Sequence, residues 1–285
     1  MMKPNTCSYT REGLILVLGG TGKTGRRVAS RLEALGREVR IGSRSGVPAF
    51  DWNHEAGWST CLEGVDAVYI NYAPDLAIDG ATDSIARFVD KARELGVRQL
   101  VLLSGRGESE AQACERIVQE SGLDWTVVRA GWFNQNFSEG AFNDMVQAGV
   151  ITLPAGSVRE PFIDVDDIAD VIAAALTEPG HTGEVYEVTG PRLMRLADVA
   201  ADLSSATGRD IRYEAIPHEA FVGAVKESGA PDDVVWLMDY LFSTVLDGRN
   251  AYITNGVERA LKRPARDFRD YAEEAAATGV WEERS

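Results

Sequence analysis

Glycines at positions 19, 20, 22 and 25 separate an unbroken apolar run, Leu14-Ile15-Leu16-Val17-Leu18, from a segment with Val28, Leu32 and Leu35 at helical spacing. The run reads as a strand buried on both faces, and the helical segment stops at Gly36. A strand must therefore turn into a helix within a few residues, which residues without side chains permit. Gly19 suits the tight turn, Gly22 leaves the backbone open to a ligand, and Gly25 lets the helix close on the strand. The N–H groups and dipole at the helix start then favour an anion such as a pyrophosphate. With a second strand about 20 residues on, Gly19-Gly20-Thr21-Gly22-Lys23-Thr24-Gly25 reads as a dinucleotide-binding turn. The plain alternative is a tight turn without a ligand.

Gly22-Lys23-Thr24 also resembles the end of a triphosphate-binding loop, but that loop needs a glycine where Val17 stands. The second strand, through Val39 and Ile41, bears on cofactor choice. An NAD site usually places an acid at its end for the ribose 2′-hydroxyl. This chain has Gly42-Ser43-Arg44-Ser45 instead. Arg44 can pair with a 2′-phosphate, helped by Ser43, Ser45 and Lys23, so the expected cofactor is NADP(H). A solvated loop arginine is the alternative. Asp51 and Trp52 follow where an adenine is flanked, although Trp52 is equally readable as core.

Further strands at 67–70, 100–103 and 125–128 alternate with helical patterns, which predicts a doubly wound parallel α/β Rossmann sheet. Beyond residue 130 the chain reads as a helix over 166–176 capped by Asp166, a strand over 184–188, and mainly helices after Gly190. The expected organisation is a flexible N-terminus over 1–12, a cofactor-binding domain over 13–155, and a smaller, mostly helical C-terminal substrate domain over 156–285. The sheet would be completed by about 183–189. Hydrophobic residues at 45% support a core, and a net charge of −15 disfavours nucleic acid. No apolar stretch approaches the ~20 residues of a membrane span, and no secretory signal is visible, so a cytoplasmic monomer or homodimer is expected. Three cysteines and three histidines lie scattered, predicting neither disulfide nor metal.

The segments GVDAVYINYAP (64–74), VLLSG (101–105), SGLDWTVVRAGWFNQNF (121–137), PFIDVDDIADV (161–171) and GEVYEVTGP (183–191), with the glycine turn and Arg44, resemble the NmrA-like group of atypical short-chain dehydrogenase/reductases. The likeness covers about residues 13–275. It implies NADP(H) held between a Rossmann domain and a small C-terminal domain. It also implies that Asn71, Tyr72, Ala73 and Pro74, then Ser104 and Gly105, line the ribose and nicotinamide side. The wider superfamily's Tyr-x-x-x-Lys proton relay is missing: none of the eight tyrosines has lysine four places on. A serine-hydrolase elbow is also excluded, since Gly42-Ser43-Arg44-Ser45-Gly46 puts arginine at the serine position. Asp164, Asp166 and Asp167 read more simply as the start of a helix than as a catalytic carboxylate pair.

Trp132, Phe133, Asn134 and Asn136, with Phe137, follow the fifth strand. Alternating rings and amides suit a pocket for a small molecule, though Trp132 and Phe137 are also readable as packing against the cap. The resemblance sets this segment beside the nicotinamide. Phe162, Trp236 and Tyr240 are candidates to close the pocket, but the i, i+4 spacing of the last two marks core more readily. The resulting expectation is an NADP(H)-dependent oxidoreductase that transfers hydride to or from a small carbonyl, quinone or conjugated substrate. Ser104 or Tyr72 would steady the developing oxygen charge. The alternatives are an NADP(H)-sensing regulator without turnover and an enzyme of net non-redox isomerisation or cyclisation.

Overall fold

The apolar run before the glycine turn forms β1 (Leu14–Leu18) in the computed structural model, which describes residues 13–282. The N-terminal stretch expected to be flexible lies outside the described residues. In chain order there follow α1 (Lys23–Ala34), β2 (Val39–Gly42), α2 (Trp58–Leu62), β3 (Val65–Ile70), α3 (Ala81–Glu94), β4 (Gln99–Gly105), α4 (Ser109–Gln119) and β5 (Asp124–Ala130). The second half contains α5 (Asn136–Glu139), α6 (Asn143–Gln147), β6 (Val150–Leu153), α7 (Val165–Thr177), β7 (Glu184–Val188), α8 (Leu196–Thr207), β8 (Arg212–Ala215), α9 (His218–Glu227) and α10 (Asp232–Tyr240). α10 runs into a π-helical turn over Leu241–Val245, and α11 (Gly256–Leu261) and α12 (Phe268–Ala277) end the described chain.

The main sheet is wholly parallel, in the order β2-β1-β3-β4-β5-β7. Its order reverses between β1 and β3, and ligands of open α/β sheets bind at the carboxyl ends of strands beside such a reversal. Alternation along β1 divides its side chains between two cores. Ile15 and Val17 pack under α1 and α7, while Leu16 and Leu18 pack under α3 with Phe50, Trp58 and Phe88. At about 1.5–3 kcal/mol for each fully buried large apolar side chain, the two layers fix the sheet firmly. Arg27 and Arg31 of α1 add ion pairs to Asp166 of α7.

A third core joins Phe137, Phe142 and Ile151 to Phe162, Leu203, Phe242, Phe268 and Trp281. Its rings meet mostly edge-on; Phe137 and Phe268 lie 5.8 Å apart at 84°, an arrangement that favours aromatic pairs. Beside it, β6 and β8 pair in a small parallel sheet. Within the mainly helical region expected after Gly190, the α-helical part of α10 ends at Tyr240. The α7 cap is Asp164, not Asp166: the Asp164 carboxylate accepts from the Asp166 amide at 2.8 Å, and Asp166 lies in the first turn. Among the described residues no helix is long and apolar enough to cross a membrane, and no cluster of three or more His, Cys, Asp or Glu side chains could hold a metal.

Candidate functional site

The glycine turn has little tolerance for side chains. A Cβ at Gly25 would stand 2.1 Å from the Gly19 carbonyl oxygen, and one at Gly20 would stand 2.8 Å from Ile41 Cγ2. Gly19 has φ +64°, and a Cβ there would meet Asn71 Nδ2 at 2.7 Å. Gly22 is the extended cap of α1, and no side chain caps that first turn. Its amide donates to the Gly19 carbonyl at 2.8 Å, and the Gly20 amide reaches Gly42 of β2 at 3.4 Å. An uncapped helix start beside a turn this closely packed fits a dinucleotide's pyrophosphate. Arg44, just past β2, is exposed and makes no ion pair or hydrogen bond among the described residues. Ser43 and Ser45 lie beside it, their hydroxyls 3.4 Å apart. These features fit a phosphorylated ribose. Thr21 is exposed, whereas Thr24 is buried and holds the turn down: its hydroxyl accepts from Tyr69 at 3.0 Å and from Asn71 at 3.4 Å.

Trp52 belongs to an aromatic cluster, with ring centroids 5.2 Å from Phe88 and 4.8 Å from Tyr72. Its indole N–H donates to the Asn71 carbonyl at 3.2 Å. The ring thus braces the strip after β3. Asp51 is used locally: its carboxylate accepts from the Asn53 amide and its carbonyl from Trp58.

Past the carboxyl ends of β3, β4 and β5 opens a cavity of about 450 Å³. It gathers Lys23, Thr24, Asn71, Tyr72, Pro74, Ser104, Gly105, Trp132, Phe133 and Asn136 from the residues singled out in the sequence. The exposed Ala73 and, of the turn, Gly19, Gly20, Thr21, Gly22 and Gly25 lie outside its lining. Trp132 stacks near Phe142, at 6.1 Å and 25°, and near Phe242 at 4.9 Å, which makes one wall a flat apolar face. Lys23 reaches across to donate to Asn136 Oδ1 at 2.8 Å, and burial lowers its pKa. Tyr72 is half-buried, and its phenol makes no hydrogen bond among the described residues.

Other expected roles need correction. The Ser104 hydroxyl donates to Glu115 at 2.6 Å, and that carboxylate also pairs with Arg129, so the proton is committed away from the cavity. Asn134 is fully buried off the cavity wall, and neither amide atom has a partner among the described residues. Phe162 packs against Phe137 and Phe268. Tyr240 stacks on Trp236 and donates to Glu110 at 2.8 Å, outside the lining. The apolar roof comes instead from Met238, Leu241 and Val245 of the same helical segment.

The sequence reading also missed Asp75, Glu108, Arg106 and Asn250, all of which line the cavity. Arg106 is almost fully buried. It donates to Glu187 at 2.7 Å and to the carbonyls of Asn250 and Tyr252 at 2.7 and 2.8 Å. Burial raises the pKa of both Asp75 and Glu108, Glu108 the further because Asp75 adds its charge. Asp75 follows Pro74 at a strand end, which was a usable signal. Glu108 carried no signal without the fold.

A family model described as NAD(P)H-binding matches residues 19–179. An NAD(P)H azoreductase from Xenophilus azovorans is 33% identical over 287 residues, covering 93% of this chain and 98% of that protein. Among solved structures, an NADPH-dependent quinone oxidoreductase from Escherichia coli, complexed with NADPH, shares the fold at a TM-score of 0.77. Its identity is 20%, with 91% of this chain and 99% of that chain covered. NmrA, a negative transcriptional regulator crystallised with NAD, superposes at a TM-score of 0.70 with 17% identity, covering 95% of this chain and 99% of that chain.

Proposed function

Because the chain belongs to the NAD(P)H-binding family, we propose that it is an NADPH-dependent reductase of small, flat organic acceptors such as quinones, conjugated carbonyls or azo compounds. The observation that carries this reading is the apolar cavity walled by Trp132, Phe133 and Phe142 at the strand ends, on the same side of the sheet as the glycine turn. In this reading the first-turn amides of α1 take the pyrophosphate. Arg44 takes the 2′-phosphate through charge-assisted hydrogen bonds. Asn71, Tyr72 and Pro74 line the nicotinamide side. NADPH, when bound, supplies the hydride. The ring walls orient the acceptor and keep water from it, and such positioning is worth up to about 7–11 kcal/mol of barrier when the geometry is good. No Tyr-x-x-x-Lys pair takes part.

The test is NADPH oxidation with a panel of quinones, enones and azo dyes, paired with Arg44→Glu. Losing a charged hydrogen bond costs about 1.5–3 kcal/mol. Arg44→Glu should therefore raise the KM for NADPH about 10- to 100-fold and leave NADH nearly unchanged. Tight NADPH binding with no oxidation across the panel would instead favour a sensor without turnover. Equal use of both cofactors by the unaltered protein would remove the role given to Arg44.

A further inference from the structure

Glu108 occupies the cap position of α4 but makes no capping bond. Its side chain turns back beneath Gly105, where a Cβ would lie 2.2 Å from Glu108 Oε1. The carboxyl is 5% exposed and lines the cavity, and its Oε2 has no hydrogen-bond partner among the described residues. Asp75 lines the same cavity from the loop after β3, and its charge acts on Glu108. Two carboxyl groups set into one cavity, one of them buried with an oxygen that meets no donor among the described residues, disfavour a double negative charge, so one keeps its proton.

The neighbouring charges do not remove that proton. Glu110, next along α4, adds negative charge and is itself held by Tyr240. Arg106 is occupied by Glu187 and two carbonyls. Arg249 is occupied by Asp247 and the Gly107 carbonyl. Cys114 of α4 faces Thr82, and Lys23 is bonded to Asn136. Burial and Asp75 together favour the neutral acid.

A two-electron reduction of a quinone or azo group consumes one hydride and one proton. The usual tyrosine–lysine donor is missing, and the Ser104 proton is committed to Glu115. We propose that Glu108, set beside Asp75 in the cavity, is the acid that delivers a proton to the heteroatom of the reduced substrate. This rests on the reductase reading above. Hydride adds at one end of the acceptor's double bond, and that bond's electron pair moves onto the heteroatom at the other end. The Glu108 O–H bond breaks as the new O–H or N–H bond forms, leaving its electron pair on the Glu108 carboxylate. The α4 start, whose dipole favours an anion, eases that release. Water at the half-buried Asp75 then restores the proton to the pair.

The test compares Glu108→Gln with the unaltered protein in three measurements. Infrared difference spectra of the protein without substrate should show a protonated carboxyl band at neutral pH that is absent in the variant. Quinone reduction should fall about 10²- to 10⁴-fold in kcat, the usual range for losing an acid catalyst, with the Kd for NADPH unchanged. Reduction of a triarylmethane dye cation, which accepts hydride at carbon and needs no proton, should fall far less. Asp75→Asn should shift the alkaline limb of the quinone pH profile. An absent carboxyl band, a quinone rate preserved in Glu108→Gln, or equal losses with quinone and dye would each overturn the proposal. If the unaltered protein reduces neither acceptor, the reductase reading fails, and the infrared band still reports on the retained proton.

Discussion

Replacing Gly25 with alanine tests the turn most directly, because two effects of known sign oppose each other there. Within a helix, glycine to alanine ordinarily stabilises by about 0.5–1 kcal/mol. Here the new Cβ would stand 2.1 Å from the Gly19 oxygen, 2.6 Å from the Gly19 carbonyl carbon and 2.8 Å from Gly20 Cα. All three are backbone atoms, so no side chain can rotate aside, and the turn must retreat by about 1 Å at an overpacking cost of about 1–3 kcal/mol. The net effect is a loss of about 1–2 kcal/mol, a drop of a few degrees in Tm for a chain of this size. The same retreat carries the α1 amides away from the pyrophosphate. Losing one charged hydrogen bond at about 1.5–3 kcal/mol weakens NADPH binding about 10- to 100-fold. Gly22→Ala is the control for stability alone, since its Cβ faces the pyrophosphate side: its nearest protein contact is the Gly19 oxygen at 3.2 Å, which a shift of a few tenths of an ångström relieves. NADPH fluorescence titration and thermal melts would read both variants. If Gly25→Ala bound NADPH within twofold of the unaltered protein and melted no lower, the reasoning about the turn would be refuted.

Two further outcomes are expected. Glu160 is 2% exposed, and burial pushes its pKa up to about 7, above the ~4.3 of an unfolded chain. Its contribution is therefore fully present below about pH 4 and is lost as pH rises through 7, about 3 kcal/mol in all. The urea midpoint should fall between pH 5 and 8, and Glu160→Gln should flatten that slope; an unchanged slope would contradict the assignment. Tyr69→Phe removes the nearer of the two donors to the buried Thr24 hydroxyl, at 3.0 Å, and leaves Asn71 at 3.4 Å. It should cost about 1 kcal/mol in stability and weaken NADPH binding less than tenfold, and a Tm equal to that of the unaltered protein would show the bond to be idle.

The parallel sheet was readable in the sequence because its strands are covered on both faces and so appear as unbroken apolar runs, as in β1 and β4. The glycine turn was readable because its spacing is local. Other features depended on contacts distant in the chain. β6 and β8 are four residues each and pair across an interval of helices, so neither carried a strong pattern. Asp164 and Asp166 are both plausible caps in PFIDVDD, and only backbone geometry selects Asp164. Phe162 and Tyr240 have the chemistry of pocket residues, but a ring cluster and Glu110 hold them elsewhere. Asp75 and Glu108 belong to loops after different strands, and nothing in their local sequence announces that the sheet brings them together.

Arg106 fastens the end of β4 to β7 through Glu187 and to the 250–252 segment through two carbonyls, all from one guanidinium sealed from solvent. Parting those pieces would strand a charge without its partners, a cost of several kcal/mol. The strand ends that floor the chamber are thus riveted to the 250–252 segment, and that seam is the last part of the chamber to give way.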